Sequence, residues 1–234
     1  MKIPRAIQWL LLAATAIAPA QTLDVTGNVT VARKDRSKPP NTDHSNVVVW
    51  LKPVAPASST DRPPSRFEIR QTHKRFDPHL LAVPVGSTVW FPNRDPFFHN
   101  VFSLYDGNRF DLGLYEAGGT HSARFDRPGI CFIFCNIHPE MSAIVVVVDG
   151  PYAVSNRDGS VTIPKVTPGR YQVYAWHERA RSSSPGGQPL LVTITADNPV
   201  LPPLLLIDSG EVIAPHKNKY GLDYNTPPAG TIYK

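Results

Sequence analysis

Cysteine and methionine are both scarce in this chain, with two of each. The cysteines, Cys131 and Cys135, lie in Ile130-Cys131-Phe132-Ile133-Phe134-Cys135, which reads as a strand. At roughly 3.3 Å per residue, their Cα atoms would stand about 13 Å apart. A disulfide needs less than about 7 Å. That excludes a disulfide-framed fold, and each cysteine needs its own explanation. No second Cys or His pair has zinc-finger spacing. No stretch shows a sustained helical period, so helical bundles and doubly wound folds are excluded. The formal net charge is +5, yet Lys and Arg are scattered, which leaves no nucleic-acid footprint. The longest apolar run near the N-terminus, Trp9 to Ala18, is too short to span a bilayer.

Proline, by contrast, is abundant. Its 25 copies are roughly twice the usual share, and proline ends helices and favours turns and strand edges. Strand-like runs recur throughout: Val25–Ala32, Val47–Lys52, Leu80–Val85, Thr88–Phe91, Asn100–Leu104, His121–Phe125, Gly129–Cys135, Ala143–Asp149, Ser160–Ile163, Arg170–Trp176 and Leu190–Ala196. Turn dipeptides such as Gly86-Ser87, Gly118-Gly119 and Asp158-Gly159 separate them. The expectation is an all-β chain of packed sandwiches. Two runs, Val47–Leu51 and Ile144–Val148, are apolar without alternation, which predicts that both of their faces are covered. Residues 33–46, 53–66 and 178–189 read as loops, and 209–234 as a proline- and asparagine-rich tail. At the other end, Lys2 and Arg5 precede the apolar run, and Ala18-Pro19-Ala20 follows it. This order predicts a secretory leader over residues 1–20 and a periplasmic or secreted location.

Cys135-Asn136-Ile137-His138-Pro139-Glu140-Met141 carries the chemistry. It offers a thiolate, an imidazole and a thioether within one short loop between two strands. Two His, one Cys and a long axial Met form the signature of an electron-transfer copper site. His99, in Phe97-Phe98-His99-Asn100-Val101, is the candidate second imidazole. Once Met1 leaves with the leader, Met141 stands alone, three residues after His138. Zinc fits poorly because thioether is not among its usual ligands. Cys131 reads as a buried small hydrophobe on the same strand face as Cys135 and Ile133. His44, His73, His79, His121, His177 and His216 lack matched partners and read as surface or loop residues.

Cys135-x-x-His138-x-x-Met141 resembles the short ligand loop of the cupredoxins, amicyanin's in particular, and His99-Asn100-Val101 resembles their upstream histidine motif. The wider pattern is similar to exported proteins described as methylamine-utilization-like. The resemblance implies a plastocyanin-like Greek-key β-sandwich over residues 67–149, binding one type 1 copper ion through His99, Cys135, His138 and Met141. It also implies that Asn100 ties the His99 segment to the Cys135 loop, and that Phe97, Phe98, Ile137 and Pro139 form an apolar rim around a more exposed His138. Gly27-Asn28-Val29, the Asp158-Gly159 turn and Pro168-Gly169-Arg170-Tyr171 resemble a carboxypeptidase-regulatory, transthyretin-like module, a second small β-sandwich. Residues 21–66 and 150–208 would then make one discontinuous domain carrying the cupredoxin as an insert. The simpler alternative is that 21–66 extends the cupredoxin.

The expected function is single-electron transfer with an exported redox partner, a cytochrome or a dehydrogenase, rather than enzymatic turnover. Copper sensing or delivery, and a surface glycan- or protein-binding module with structural copper, remain as alternatives.

Overall fold

The computed structural model describes residues 21–35, 37–55, 66–104, 107–180, 189–210 and 217–224. The expected leader at 1–20 and His216 lie outside them. The described residues contain seventeen strands and no helix, so the chain is all-β.

Two sheets face each other around the segment that carries the candidate ligands. The first has five strands in the order β6 (Leu80–Pro84), β12 (Ser142–Val148), β11 (Gly129–Phe134), β8 (His99–Ser103) and β9 (Phe110–Tyr115). The second has β10 (Thr120–Phe125), β7 (Ser87–Pro92) and β3 (Phe67–Glu68). Phe91, Phe125, Val101, Ile133, Val145 and Val147 fill the space between them, together with Cys131, Cys135 and Met141. A short hairpin, β4 (Arg70–Thr72) and β5 (Arg75–Asp77), adds Phe76 to this core.

A second pair of sheets lies beside the first. One is β14 (Ser160–Val166), β1 (Leu23–Arg33) and β17 (Leu204–Asp208). The other is β13 (Tyr152–Val154), β2 (Val48–Pro53), β15 (Gly169–Trp176) and β16 (Leu190–Ile194). Their shared core joins Val25, Val29 and Leu51 from the start of the chain to Ile163, Val173 and Leu206 from its later part.

Period-two geometry explains the two runs without alternation, because successive strand side chains point to opposite faces. Ala143, Val145 and Val147 enter the core between the ligand-bearing sheets. Ile144, Val146 and Val148 point the other way and meet Val48, Trp50 and Trp176 in a third cluster. Val49 and Leu51 return to the core of the second pair. Both runs are therefore covered on two sides, by the contact between the two halves of the molecule.

Each strand run read from the sequence is present, within two residues at its ends except for Ser160–Ile163, whose strand continues three residues further to Val166. The short strands β3, β4, β5 and β13, and the longer β9 and β17, were not foreseen. Gly113 accounts for β9. The β8–β9 register shifts between Asn100 and Phe102, and the extra residue falls on β9, where Gly113 has φ +74°. A bulge of this kind needs glycine's freedom and interrupts the alternation that would have marked a strand.

Candidate metal centre

His99 and Asn100 open β8, and Cys135 follows the last residue of β11. β11 and β8 are hydrogen-bonded neighbours, so residues 36 positions apart come together. The loop from Cys135 to Met141 is closed by its own backbone. The Cys135 N–H donates to the Met141 carbonyl at 3.2 Å, and the Met141 N–H donates to the His138 carbonyl at 3.0 Å. This tight path holds His138 beside the Cys135 sulfur and turns the chain straight into β12.

Three donor atoms converge. His138 Nδ1 lies 3.1 Å from His99 Nδ1 and 3.6 Å from Cys135 Sγ, and His99 Nδ1 lies 3.9 Å from the same sulfur. Around one first-row metal ion, with bonds of about 2.0–2.3 Å, such atoms stand about 3.5 Å apart. The observed spacings bracket that value. Among the described residues these three form the group of His, Cys and acidic side chains close enough to share an ion. Met141, the fourth expected ligand, is fully buried in the same core as Cys135.

The surroundings orient each donor. Asp95 is buried and accepts a hydrogen bond from His99 Nε2 at 2.8 Å. With the proton on Nε2, Nδ1 presents its lone pair to the shared point. The Asp95 carboxylate also takes the His73 N–H at 2.6 Å and the Lys74 N–H at 2.9 Å. Those two residues form the tip of the β4–β5 hairpin, both with positive φ. Burial works to raise the Asp95 carboxyl, but these N–H groups and the His99 imidazole together hold it below its ordinary value. Asn93, also fully buried, stiffens the same loop. Its side chain donates to the Phe97 carbonyl at 2.7 Å and accepts the Asp95 N–H at 3.0 Å.

Burial pushes the Cys135 thiol up, against hydrogen bonds from the backbone N–H groups of Asn100, Ile137 and His138, which favour the thiolate. A sulfur wrapped in donors and withheld from water suits a thiolate whose charge a bound cation neutralises. Burial above all pushes the His138 imidazole below its ordinary value, so it is neutral and free to coordinate at pH 7. Asn100 links the two ligand segments. Its Oδ1 accepts the Asn136 N–H at 3.3 Å, while its amide donates to Asp111 and to the Gly113 carbonyl at the bulge.

Exposure divides the two histidines. His99 is 0% exposed, whereas His138 is half-buried. The Phe97 ring packs on both, 5.2 Å from His99 and 5.9 Å from His138. Phe97, Phe98, Ile137 and Pro139 are exposed around them. Phe98 is half exposed in this rim.

The sequence has relatives. Amicyanin-alpha of Methylorubrum extorquens is 30% identical over 96 residues, which are 40% of this chain and 75% of that protein. The chain belongs to the cupredoxin family. No protein-family model matches it. Among solved structures, a purple cupredoxin from Nitrosopumilus maritimus is 23% identical, covering 35% of this chain and 99% of its own, with a TM-score of 0.32. An amicyanin variant in the Cu(I) state is 20% identical over 43% of this chain and 98% of its own, with a TM-score of 0.34. A copper-containing nitrite reductase from Thermus scotoductus is 27% identical over 42% of this chain and 25% of its own, with a TM-score of 0.35.

Several residues around the candidate site were not singled out from the sequence. Asp95 had a local signal, four residues before His99 in a proline-bearing loop. The hairpin tip at His73 and Lys74, and the tail residues Lys219 and Tyr224, had none. Tyr224 donates its hydroxyl to the Cys135 carbonyl at 2.7 Å, and Lys219 donates its backbone N–H to Asn136 Oδ1 at 3.0 Å.

The histidines outside the ligand set join no metal-binding group among the described residues, and their rings have other neighbours: His73 Nδ1 lies 3.2 Å from Thr72 Oγ1 and His177 Nδ1 accepts the Arg179 N–H at 3.3 Å. His44 Nδ1 accepts the Val31 N–H, His79 pairs with Glu178, and His121 stacks on Tyr115. Glu178 is itself half-buried against His79.

Proposed function

We propose that this chain is an exported carrier of single electrons whose site would hold one copper ion through His99, Cys135, His138 and Met141. The observation that carries the reading is the convergence of two imidazole Nδ1 atoms and one thiol sulfur in a sheet-walled site from which only His138 reaches the surface. Copper, when bound there, would supply one-electron chemistry by cycling between Cu(I) and Cu(II). Asp95, Asn100 and the backbone N–H groups on Cys135 fix the donors in place, so little rearrangement accompanies a change of charge. The apolar rim keeps water from the sulfur and offers an exported cytochrome or dehydrogenase a docking face around His138.

Ile137→Glu and Pro139→Glu test this. Each puts a charge on the rim without touching a ligand, so the copper spectrum stays as it is while electron self-exchange slows. Unchanged self-exchange in both variants contradicts the port at His138. Rapid copper loss with slow self-exchange in the wild type would favour delivery or sensing instead. Consumption of nitrite by the loaded protein would overturn the carrier reading in favour of an enzyme.

The same reading makes residues 1–20 a leader, so the mature protein starts near Gln21. For the rest of the chain, residues 67–149 are proposed as a cupredoxin inserted into a discontinuous transthyretin-like domain of residues 21–66 and 150–208, followed by a tail at 209–234. The core shared by β1, β2, β14, β15 and β17 supports this division. A fragment of residues 150–234 lacks β1 and β2 and should not fold. A folded fragment would favour the simpler division.

A further inference from the structure

Residues 217–224 lie against the ligand loop, far from it in sequence. The segment is shaped by Asn218, whose side-chain oxygen accepts the N–H groups of Tyr220 and Leu222 at 2.9 and 3.0 Å. Its backbone closes the same turn, with the Asn218 N–H on the Leu222 carbonyl at 2.8 Å. Three bonds fasten this turn to the site. Tyr224 Oη donates to the Cys135 carbonyl at 2.7 Å. The Lys219 N–H donates to Asn136 Oδ1 at 3.0 Å. Lys219 Nζ donates to Asp111 Oδ2 at 2.7 Å. Asp111 in turn accepts from the Asn100 amide at 2.7 Å, and Asn100 accepts the Asn136 N–H. Asn136 is thus gripped from both sides, and the carbonyl of Cys135 itself is held.

We propose that residues 217–224 are a strap that holds the Cys135–Met141 loop shut, with Tyr224 and Lys219 as positioning residues, so that release of the strap sets how readily Cys135 is reached and metal is exchanged. The inference rests on the copper reading only for the metal half of that statement. Access to a buried thiol requires local opening, and the loop carrying Cys135 opens against the strap's bonds. Cys131 is equally buried but sits mid-strand, where Asn108 donates to its sulfur at 3.3 Å. None of the three strap bonds touches it, which makes it an internal control.

The test alkylates metal-free, full-length protein with iodoacetamide and follows each cysteine by peptide mass mapping. Tyr224→Phe keeps the ring and removes one hydrogen bond, so Cys135 should react roughly two- to tenfold faster while Cys131 keeps its wild-type rate. Lys219→Met should act in the same direction, and the double variant should exceed either. Copper removal from loaded protein by a chelator should accelerate by a similar factor. An unchanged Cys135 rate in both single variants overturns the strap. A parallel rise at Cys131 overturns it as well, because the tail would then only support the whole fold. The copper reading fails separately, by the absence of a thiolate-to-copper band in the wild type, whatever the alkylation rates.

Discussion

Replacing Asp95 separates two effects that the structure joins in one carboxylate. The group is buried and takes three hydrogen bonds, from the His73 and Lys74 N–H groups and from His99 Nε2. Asp95→Ala strands all three donors. Breaking a buried charge-assisted network of this kind costs about 3–5 kcal/mol. Asp95→Asn keeps the shape and one good acceptor for the hairpin tip, so its stability loss should be smaller, about 1–2 kcal/mol. The amide can also turn its NH₂ towards His99. Nε2 must then accept, the proton moves to Nδ1, and the lone pair needed for a metal is lost. Loss of such an orienting partner lowers metal affinity about 10–100-fold, or about 1.4–2.8 kcal/mol. Urea unfolding of the metal-free protein reads the first effect, and chelator competition for Cu(II) reads the second. The sign with pH is also fixed. Asp95 has a folded pKa below its ordinary 3.8, so its contribution is complete above that value and fades as pH falls through the lower one. The Ala variant should therefore have a flatter stability curve in acid. An Asn variant that binds copper as tightly as the wild type would refute the tautomer argument. An Ala variant within about 1 kcal/mol of the wild type would refute the clamp.

Met141→Leu conserves volume in a fully buried position and should cost less than about 1.5 kcal/mol; voltammetry should find a higher reduction potential, and an unchanged potential removes Met141 from the ligand set. Gly159→Ala should destabilise by about 2–4 kcal/mol in thermal or urea unfolding, because φ is +85° and the new Cβ would strike the Val29 carbonyl. His79 faces Glu178 Oε2 with Nε2 at 3.0 Å and the Ser142 carbonyl with Nδ1 at 3.1 Å, an arrangement that only the imidazolium satisfies with two donors. The Glu178 hydrogen bond raises the His79 pKa above 6.5, and the same bond lowers that of Glu178 below 4.5. The pair is therefore fully formed between those two ordinary values. It is lost as pH rises through the raised His79 value or falls through the lowered Glu178 one. Because the pair is partly exposed, Glu178→Gln should cost only about 0.5 kcal/mol near pH 5.5 and less near pH 8.5. An equal cost at both pH values would contradict the assignment.

What was legible in the sequence was local. Cys135, His138 and Met141 sit within one loop, so their spacing alone announces donor chemistry. Strands such as Gly129–Phe134 declare themselves by alternation and flanking turns. His99 was found by its neighbours Phe97, Phe98 and Asn100. The parts that escaped depend on long-range encounters. The His73–Lys74 tip reaches Asp95 from 21–22 residues away, and Tyr224 reaches Cys135 from 89. Neither His73-Lys74 nor the proline- and asparagine-rich tail has a pattern that names its partner. The short strands β3, β4, β5 and β13 have too few residues for alternation to register, and β17 follows Pro202-Pro203, which reads as a break. Covering of both faces of Val47–Leu51 and Ile144–Val148 was foreseen from their lack of alternation, and the third cluster supplies its physical form.

The most direct measurement is a Cu(II) titration of the purified full-length protein, followed by visible absorption. An intense thiolate-to-copper charge-transfer band should appear and saturate at one equivalent. The band should vanish in Cys135→Ser and survive in Cys131→Ser, whose sulfur is buried in the core and whose thiol is pushed up to about 11. No band in the wild type, or equal loss of the band in the two cysteine variants, would contradict the copper centre.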